Sequence, residues 1–404
     1  MNDDHYHKMV TLPALFNNNN LLEYSIEPDK RFLVLGKCYL QFQLELPVEF
    51  VPDNNFGNKL FEYLDLNVQY EDCSFKCSTN DYDYTSHVAD KIFRNPAYLN
   101  RVKFEGHYDN VNYDSSELKS SPKIVSHRRG EKYMKTITVD GKVVTKEYYR
   151  YFLMLPINHG LCRENQVLPA GVHVRLSFHR ANAKKALVDI SNEVIKFPQT
   201  VIPLIEPVLQ VCWAFSPKLT QDMSKISSVG LNIPFESGHI RHRVLDDGLM
   251  EHNVQIIQGH VPKYMAFFLM EPDRFANDFK YSSTKMERHG LTQFSLVMDN
   301  ETMQHYPLKV IKYGTSNFYH QFYRRWLQMT DRYEDNETDI MDEETYINSN
   351  FIILETFEDL ENKEGHLAVK LNFDSPLENK LLLCWLPVTQ KTLQFDRNLS
   401  VHLT

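Results

Sequence analysis

The sequence predicts a mainly β protein built of two β-sandwiches in succession. Three observations carry this expectation. Short runs with apolar residues at every second position recur along the chain, which is the period of a half-buried strand. Helical periodicity is convincing in one segment only, and no βα rhythm of the kind that builds a doubly wound sheet is present. Residues 196–207 hold Pro198, Pro203 and Pro207 and read as a linker that divides the 404 residues into two strand-rich halves.

Residues 1–30 read as a polar N-terminal arm. The first sandwich is expected over 31–195. It opens at 31–47 (RFLVLGKCYLQFQLELP), where Cys38, Leu40, Phe42, Leu44 and Leu46 alternate with other residues, and 60–70 (LFEYLDLNVQY) repeats the pattern. Residues 133–139 and 142–151 flank Asp140-Gly141, a pair suited to the positive φ angles of a tight hairpin turn. Residues 172–178 (VHVRLSF) close the first half. The insertion 100–150 is loop-like, and 119–150 holds nine Lys/Arg against three Asp/Glu.

The second sandwich is expected over 208–404, with strands at 208–215, 238–245, 253–257, 264–270, 292–298 and 308–312. A helix follows at 317–330, with Phe318, Phe322, Trp326 and Met329 on one face. It reads as a core-facing helix, with partner docking through Arg324 and Arg325 as the alternative. Strands at 350–357, 366–373, 380–386 and 393–395 complete the half. Residues 331–344 hold eight Asp/Glu against one Arg. Both charged stretches read as solvated loops whose opposite signs also suit contacts between subunits.

Composition limits the function classes. The chain is 42% hydrophobic and 24% charged, enough apolar material for a core in each half, and its 25 Phe and 22 Tyr favour pleated surfaces. A net charge of -9 argues against general nucleic-acid binding, which needs clustered Lys and Arg, so any DNA contact would come from a local patch and no sequence-specific nucleic-acid partner is expected. The sequence lacks the glycine-rich nucleotide loops, the nucleophile elbow and the H-E-x-x-H helix of the best-marked enzymes. The expectation is therefore no enzyme, no catalytic residues, no metal and no cofactor.

Weaker constellations have bland readings. His239 and His242 lie on a strand that sends them to opposite faces, which is a poor metal pair. Asp81 and Asp83 (NDYDY) suggest an oxygen-rich loop without a calcium pattern, and Asp246-Asp247-Gly248 suggests a turn. Cys73 and Cys77 lack the second pair of a zinc site. All six cysteines, Cys38, Cys73, Cys77, Cys162, Cys212 and Cys384, are expected to be reduced thiols in an intracellular protein. The first twenty residues show no signal-peptide pattern, and no apolar run is long enough to span a bilayer. The sequons at Asn300, Asn336 and Asn398 are then expected to be coincidental.

Four blocks carry a resemblance. Residues 50–93 combine an extended P-x-N stretch, an LF strand and the DYDY segment. Residues 168–178 read LPAGVHVRLSF and 259–270 read GHVPKYMAFFLM. Residues 318–327, with the C-terminal stretch ending in FDRN, supply the fourth. In this order the blocks resemble the major capsid proteins of Polinton/Maverick-type elements and adintoviruses, relatives of the adenovirus hexon lineage. The resemblance implies a double jelly roll, two sandwiches side by side, with three copies forming a pseudo-hexagonal capsomer. It implies as partners a homotrimer, neighbouring capsomers, penton and minor capsid proteins, with the virion, assembled inside the host cell, as location. It implies no catalytic residues. The insertion 100–150 is a natural candidate for an outward tower that ties neighbours together, and deleting 105–130 is expected to leave the sandwiches folded while weakening trimerisation. Two alternatives are a minor, penton-like capsid protein, which needs one jelly roll, and a glycan-binding or carbohydrate-active jelly roll. The last needs facing carboxylates or exposed tryptophans, whereas Trp213, Trp326 and Trp385 all lie in apolar runs.

Overall fold

Eight strands recur twice along the chain, and each set folds into the same pair of facing sheets. The computed structural model describes residues 6–93, 103–108, 111–139, 142–163, 167–191, 197, 199–215, 230–276, 278–303, 305–313, 316–330, 341–357, 363–395 and 401–403. The Asp140-Gly141 turn, Lys196, Pro198, residues 331–340, Asn336 and Asn398 lie outside these.

In the first set the strands are Tyr6–Pro13, Leu21–Ile26, Tyr39–Pro47, Phe61–Tyr70, Cys73–Thr79, Lys142–Pro156, His173–Arg180 and Ile205–Phe215. One sheet orders them first, eighth, third, sixth, with Glu131–Val139 added at the edge; the other runs second, seventh, fourth, fifth. The third strand shows why they pair. Leu40, Phe42, Leu44 and Leu46 are buried and the residues between them are half-exposed, so one side faces the opposite sheet. There they meet Tyr24, Leu66, Val174 and Phe178.

The second set is Leu231–Gly238 with its continuation Arg241–Leu245, then Glu251–His260, Tyr264–Met270, Leu291–Met298, Glu301–Thr302, Ile353–Thr356, Glu364–Phe373 and Leu381–Phe395. The order is again first, eighth, third, sixth against second, seventh, fourth, fifth. Such crossed connections between two facing antiparallel sheets define a jelly roll.

Several expectations are corrected. Tyr6–Pro13 and Leu21–Ile26 are the first roll's opening strands, so 6–26 belong to that roll rather than to a detached arm. Ile205–Phe215 pairs with Tyr6–Pro13 and with Tyr39–Pro47, which makes it the closing strand of the first roll rather than the opening strand of the second. Pro207 falls at a register shift between Ile205 and Val208, an irregularity where a missing N–H breaks no ladder bond. The NDYDY segment is only in part a loop: Asn80 and Asp81 form a bend, and Tyr82–Phe93 forms a helix with Asp83 in its first turn. Within 100–150 the chain forms helices Ser115–Lys119 and Pro122–Arg128 before the expected hairpin. The expected strands at 380–386 and 393–395 are one strand of fifteen residues. The expected helix at 317–330 is His320–Met329, with Phe322 and Trp326 buried in the second roll's core.

Tyr264–Met270 is buried on both faces. Met265, Phe267 and Leu269 point into the second roll, whereas Tyr264, Ala266, Phe268 and Met270 point out of it. Leu382, Cys384, Leu386 and Val388 of the closing strand extend that outer face, and Tyr84, Val88 and Ile92 of the first roll's helix cover it. Their four-residue spacing places all three on one side of the helix. The closing strand then runs on, so that Leu393 and Phe395 enter the first roll's core.

Candidate functional site

The structure offers two functional surfaces, a sealed junction between the rolls and an open sheet face on the first roll. The junction has a polar centre. Asp53, which is 1% exposed, accepts hydrogen bonds from Lys59, from Ser282 Oγ at 2.8 and 2.9 Å and from the Ser283 N–H at 3.2 Å. Lys59 has no solvent exposure and also donates to Thr284 Oγ1 at 2.8 Å. Burial holds its ammonium below the ordinary lysine value, with the Asp53 carboxylate acting the other way.

A second tier surrounds this pair. Arg274 donates twice to Asp114, at 2.6 and 3.1 Å, in the planar fork that suits a carboxylate. Lys285 donates to both oxygens of Glu117 at 2.9 and 3.0 Å. The Asn112 side chain donates to the carbonyls of Thr284 at 3.1 Å and Ser349 at 3.3 Å. Asn112, Leu118 and Arg128 are fully buried. Residues 112–118, with Arg128, therefore help to build the junction, which corrects the expectation of a dispensable outward tower. The ribbon made by Glu131–Val139 and the start of Lys142–Pro156 projects. Up to residue 146 the described residues of its strands pair with each other alone, and Met134, Val143 and Val144 are exposed on it.

The open face belongs to the first roll's sheet of strands one, eight, three and six. Thr11, Gln210 and Gln41 form a side-chain ladder across three strands, with contacts of 2.9 and 3.4 Å. Glu45 continues it, accepting from Lys135 at 2.5 Å and Arg150 at 3.0 Å. Burial pushes the Glu45 carboxyl up, and hydrogen bonds from Lys135, Tyr133 and Arg150 outweigh it and hold the carboxyl below its usual range. Met9 and Phe152 stand on this face 44% and 47% exposed. The equivalent face of the second roll is the one covered by Tyr84, Val88 and Ile92.

The weighed chemical candidates do not assemble into a catalytic or metal site. Asp83 is buried and faces the Lys185 ammonium at 3.5 Å, and burial and then Asp83 raise the Asp81 carboxyl. His239 accepts from Arg241 at 3.3 Å, while His242 packs on Phe275 at 4.9 Å. Asp246-Asp247-Gly248 is a turn, with Gly248 at φ +77°. Arg325 pairs with Glu355 at 2.5 Å. None of the six cysteines is in a disulfide, and all but the half-buried Cys73 are buried. Among the described residues no group of three or more potential ligands could hold a metal, and no helix is long and apolar enough to cross a membrane. The sequence missed the Asp53 centre because its partner Ser282 lies 229 residues away, and a single Asp before NN carries no periodic signal.

The sheet order defines the class: the chain is a double jelly roll. No protein-family model and no curated protein sequence matches it. Solved structures do. A chain from the cryo-EM structure of the Sputnik virophage superposes with a TM-score of 0.65 at 9% identity, covering 99% of this chain and 88% of that one. The mavirus major capsid protein gives 0.56 at 9% identity, covering 98% and 90%. A chain of the PBCV-1 virus capsid gives 0.55 at 10% identity, covering 99% and 97%. At these identities the likeness is one of fold, and it extends over the whole double roll.

Proposed function

We propose that this chain is a major capsid protein that assembles as a homotrimer into pseudo-hexagonal capsomers of an icosahedral, virus-like shell. The observation that carries the reading is the repeated roll: two copies of one eight-stranded topology held as one body by a buried junction, in a fold shared with the mavirus capsid protein. Three such chains supply six similar rolls, which is what a hexagonal outline from a trimer requires, and closed cyclic symmetry is the usual form of homo-oligomers.

The open sheet face supports a contact between copies. In the second roll that face is apolar and covered within the chain, whereas in the first roll it carries Gln41, Gln210, Phe152 and Met9. A polar face with a few apolar anchors suits a surface that is wet in the free subunit and buried in the assembly. A penton-like role fits less well, because the chain holds two rolls rather than one. A glycan-binding role lacks its platform, since Trp213, Trp326 and Trp385 are all at most 6% exposed. The narrower affiliation with Polinton/Maverick-type elements and adintoviruses rests on the sequence blocks. Neighbouring capsomers, penton and minor capsid proteins as partners, and the virion as location, follow from the same reading. Electron microscopy of the purified chain tests it: three-fold particles of hexagonal outline support the proposal, and uniformly monomeric particles contradict it.

A further inference from the structure

The second roll is open along the flank where its first and second strands meet. Among the described residues Arg241–Leu245 pairs only with Leu381–Phe395, and Glu251–His260 pairs only with Glu364–Phe373. Arg241–Leu245 is therefore an edge, with backbone N–H and C=O groups on its outer side that no described strand takes up. Between the two strands lies a cleft of about 500 Å³, lined among others by Arg243, Leu245, Asp246, His252, Val254 and Ile256.

Strand alternation sets the chemistry of this cleft. Leu245 points into the roll's core, so Arg243 and Arg241 point to the same side. His242 lies on the other side, against Phe275. Among the described residues Arg243 forms no ion pair, although Asp246 lines the same cleft. Val244 also lines the cleft and is 48% exposed, and Leu249 and Met250, in the connection between the two strands, are 52% and 44% exposed. A helix satisfies its own backbone N–H and C=O groups and would leave those of the edge unpaired. An extended segment meets them directly.

We propose that this flank binds an extended acidic peptide segment of a partner protein. The segment adds as a strand along Arg241–Leu245, placing carboxylates on Arg241 and Arg243 and an apolar side chain beside Val244. Main-chain hydrogen bonds supply the affinity, and the arginines select acidic over basic sequences. The inference does not depend on the capsid reading, because a chain that stayed monomeric would bind in the same way.

Fluorescence anisotropy on the full chain tests it, with two labelled ten-residue probes, one alternating Val and Glu and the other Val and Lys. The expected result is saturable binding of the Val-Glu probe alone. Arg243→Glu should weaken it at least tenfold, and Arg241→Glu with Arg243→Glu should transfer binding to the Val-Lys probe. Both variants lie on the exposed edge, and an unchanged urea midpoint shows that they fold. Absence of saturable binding by the Val-Glu probe, or equal binding to wild type and Arg243→Glu, overturns the proposal. The arginines would then serve only to guard the edge against pairing with another sheet.

Discussion

Asp53 and Lys59 form an ion pair that neither roll could keep alone. Both belong to the first roll, yet Ser282, Ser283 and Thr284 of the second satisfy their remaining hydrogen bonds. The pair lies out of reach of water, so its energetics depend on complete satisfaction rather than on charge attraction alone.

Removing one partner should therefore be costly. Asp53→Ala leaves the Lys59 ammonium buried and unpaired, and is expected to destabilise the chain by about 3–5 kcal/mol in urea denaturation. Asp53→Ala combined with Lys59→Met removes both charges and should cost less than the single change. A single variant within about 1 kcal/mol of wild type would show that the junction is wetter than its geometry states.

Acid should loosen the protein near neutrality as well as at low pH. Burial, with Lys91, Lys59 and His107 nearby, holds the fully enclosed His87 well below 6.5, and burial also lowers His239 and His289. Below about pH 6.5 the unfolded chain takes up protons that the folded chain refuses, so stability falls as pH drops through that value. Asp29, held near 2 by its hydrogen bonds from Arg31, works the same way only below about pH 4, where its unfolded counterpart becomes protonated. The urea midpoint should decline between pH 7 and 5, and His87→Phe should flatten the decline. A flat wild-type profile over that range contradicts this account.

Much of the fold was legible where a strand has one wet face. The alternation at Leu40, Phe42, Leu44 and Leu46 appears in the structure as a strand with those residues inside. The run YMAFFLM was legible for the opposite reason, since burial on both faces selects apolar residues without a break. The helix at Tyr82–Phe93 was hidden because its first turn is Asp- and Tyr-rich, a composition that also marks turns, and its helical stripe at Tyr84, Val88 and Ile92 faces another roll. The allegiance of Ile205–Phe215 was misread because three prolines imitate a linker, and no local pattern tells which sheet a strand joins. The Asp53 centre and the open flank at Arg243 are long-range products of topology, and single-sequence periodicity contains neither.

Thiol reactivity should separate the cysteines. Burial pushes the Cys38 thiol up to about 12 and raises Cys77, Cys212 and Cys384, so few thiolates are present at neutral pH. Brief alkylation of the native, unreduced chain should label Cys73 first, with all six labelled after unfolding. Mass spectrometry reads the outcome, and a pair that stays blocked after unfolding without reductant would reveal a disulfide.

The two parts of the 100–150 segment should behave differently. Deleting 105–130 removes Asn112, Leu118 and Arg128 from the junction, and the chain should fail to give a cooperative transition. Joining Tyr133 to Tyr148 through Asn-Gly removes the projecting ribbon together with the Lys135–Glu45 pair, and stability in urea denaturation should change by about 1 kcal/mol or less. If the ribbon clasps a neighbouring copy, sizing by light scattering will show a weaker oligomer. An unchanged oligomer would assign the contacts to the open sheet face alone.

Native mass spectrometry of the full chain addresses the central claim most directly. With a chain mass of 47.6 kDa, a homotrimer appears near three times that value. The account predicts this species for wild type, and predicts monomer for Phe152→Asp, which puts a charge on the open face without touching either core. Wild type that remains monomeric or dimeric across the concentration range would contradict the capsomer reading, and a trimer undisturbed by Phe152→Asp would contradict the assignment of that face.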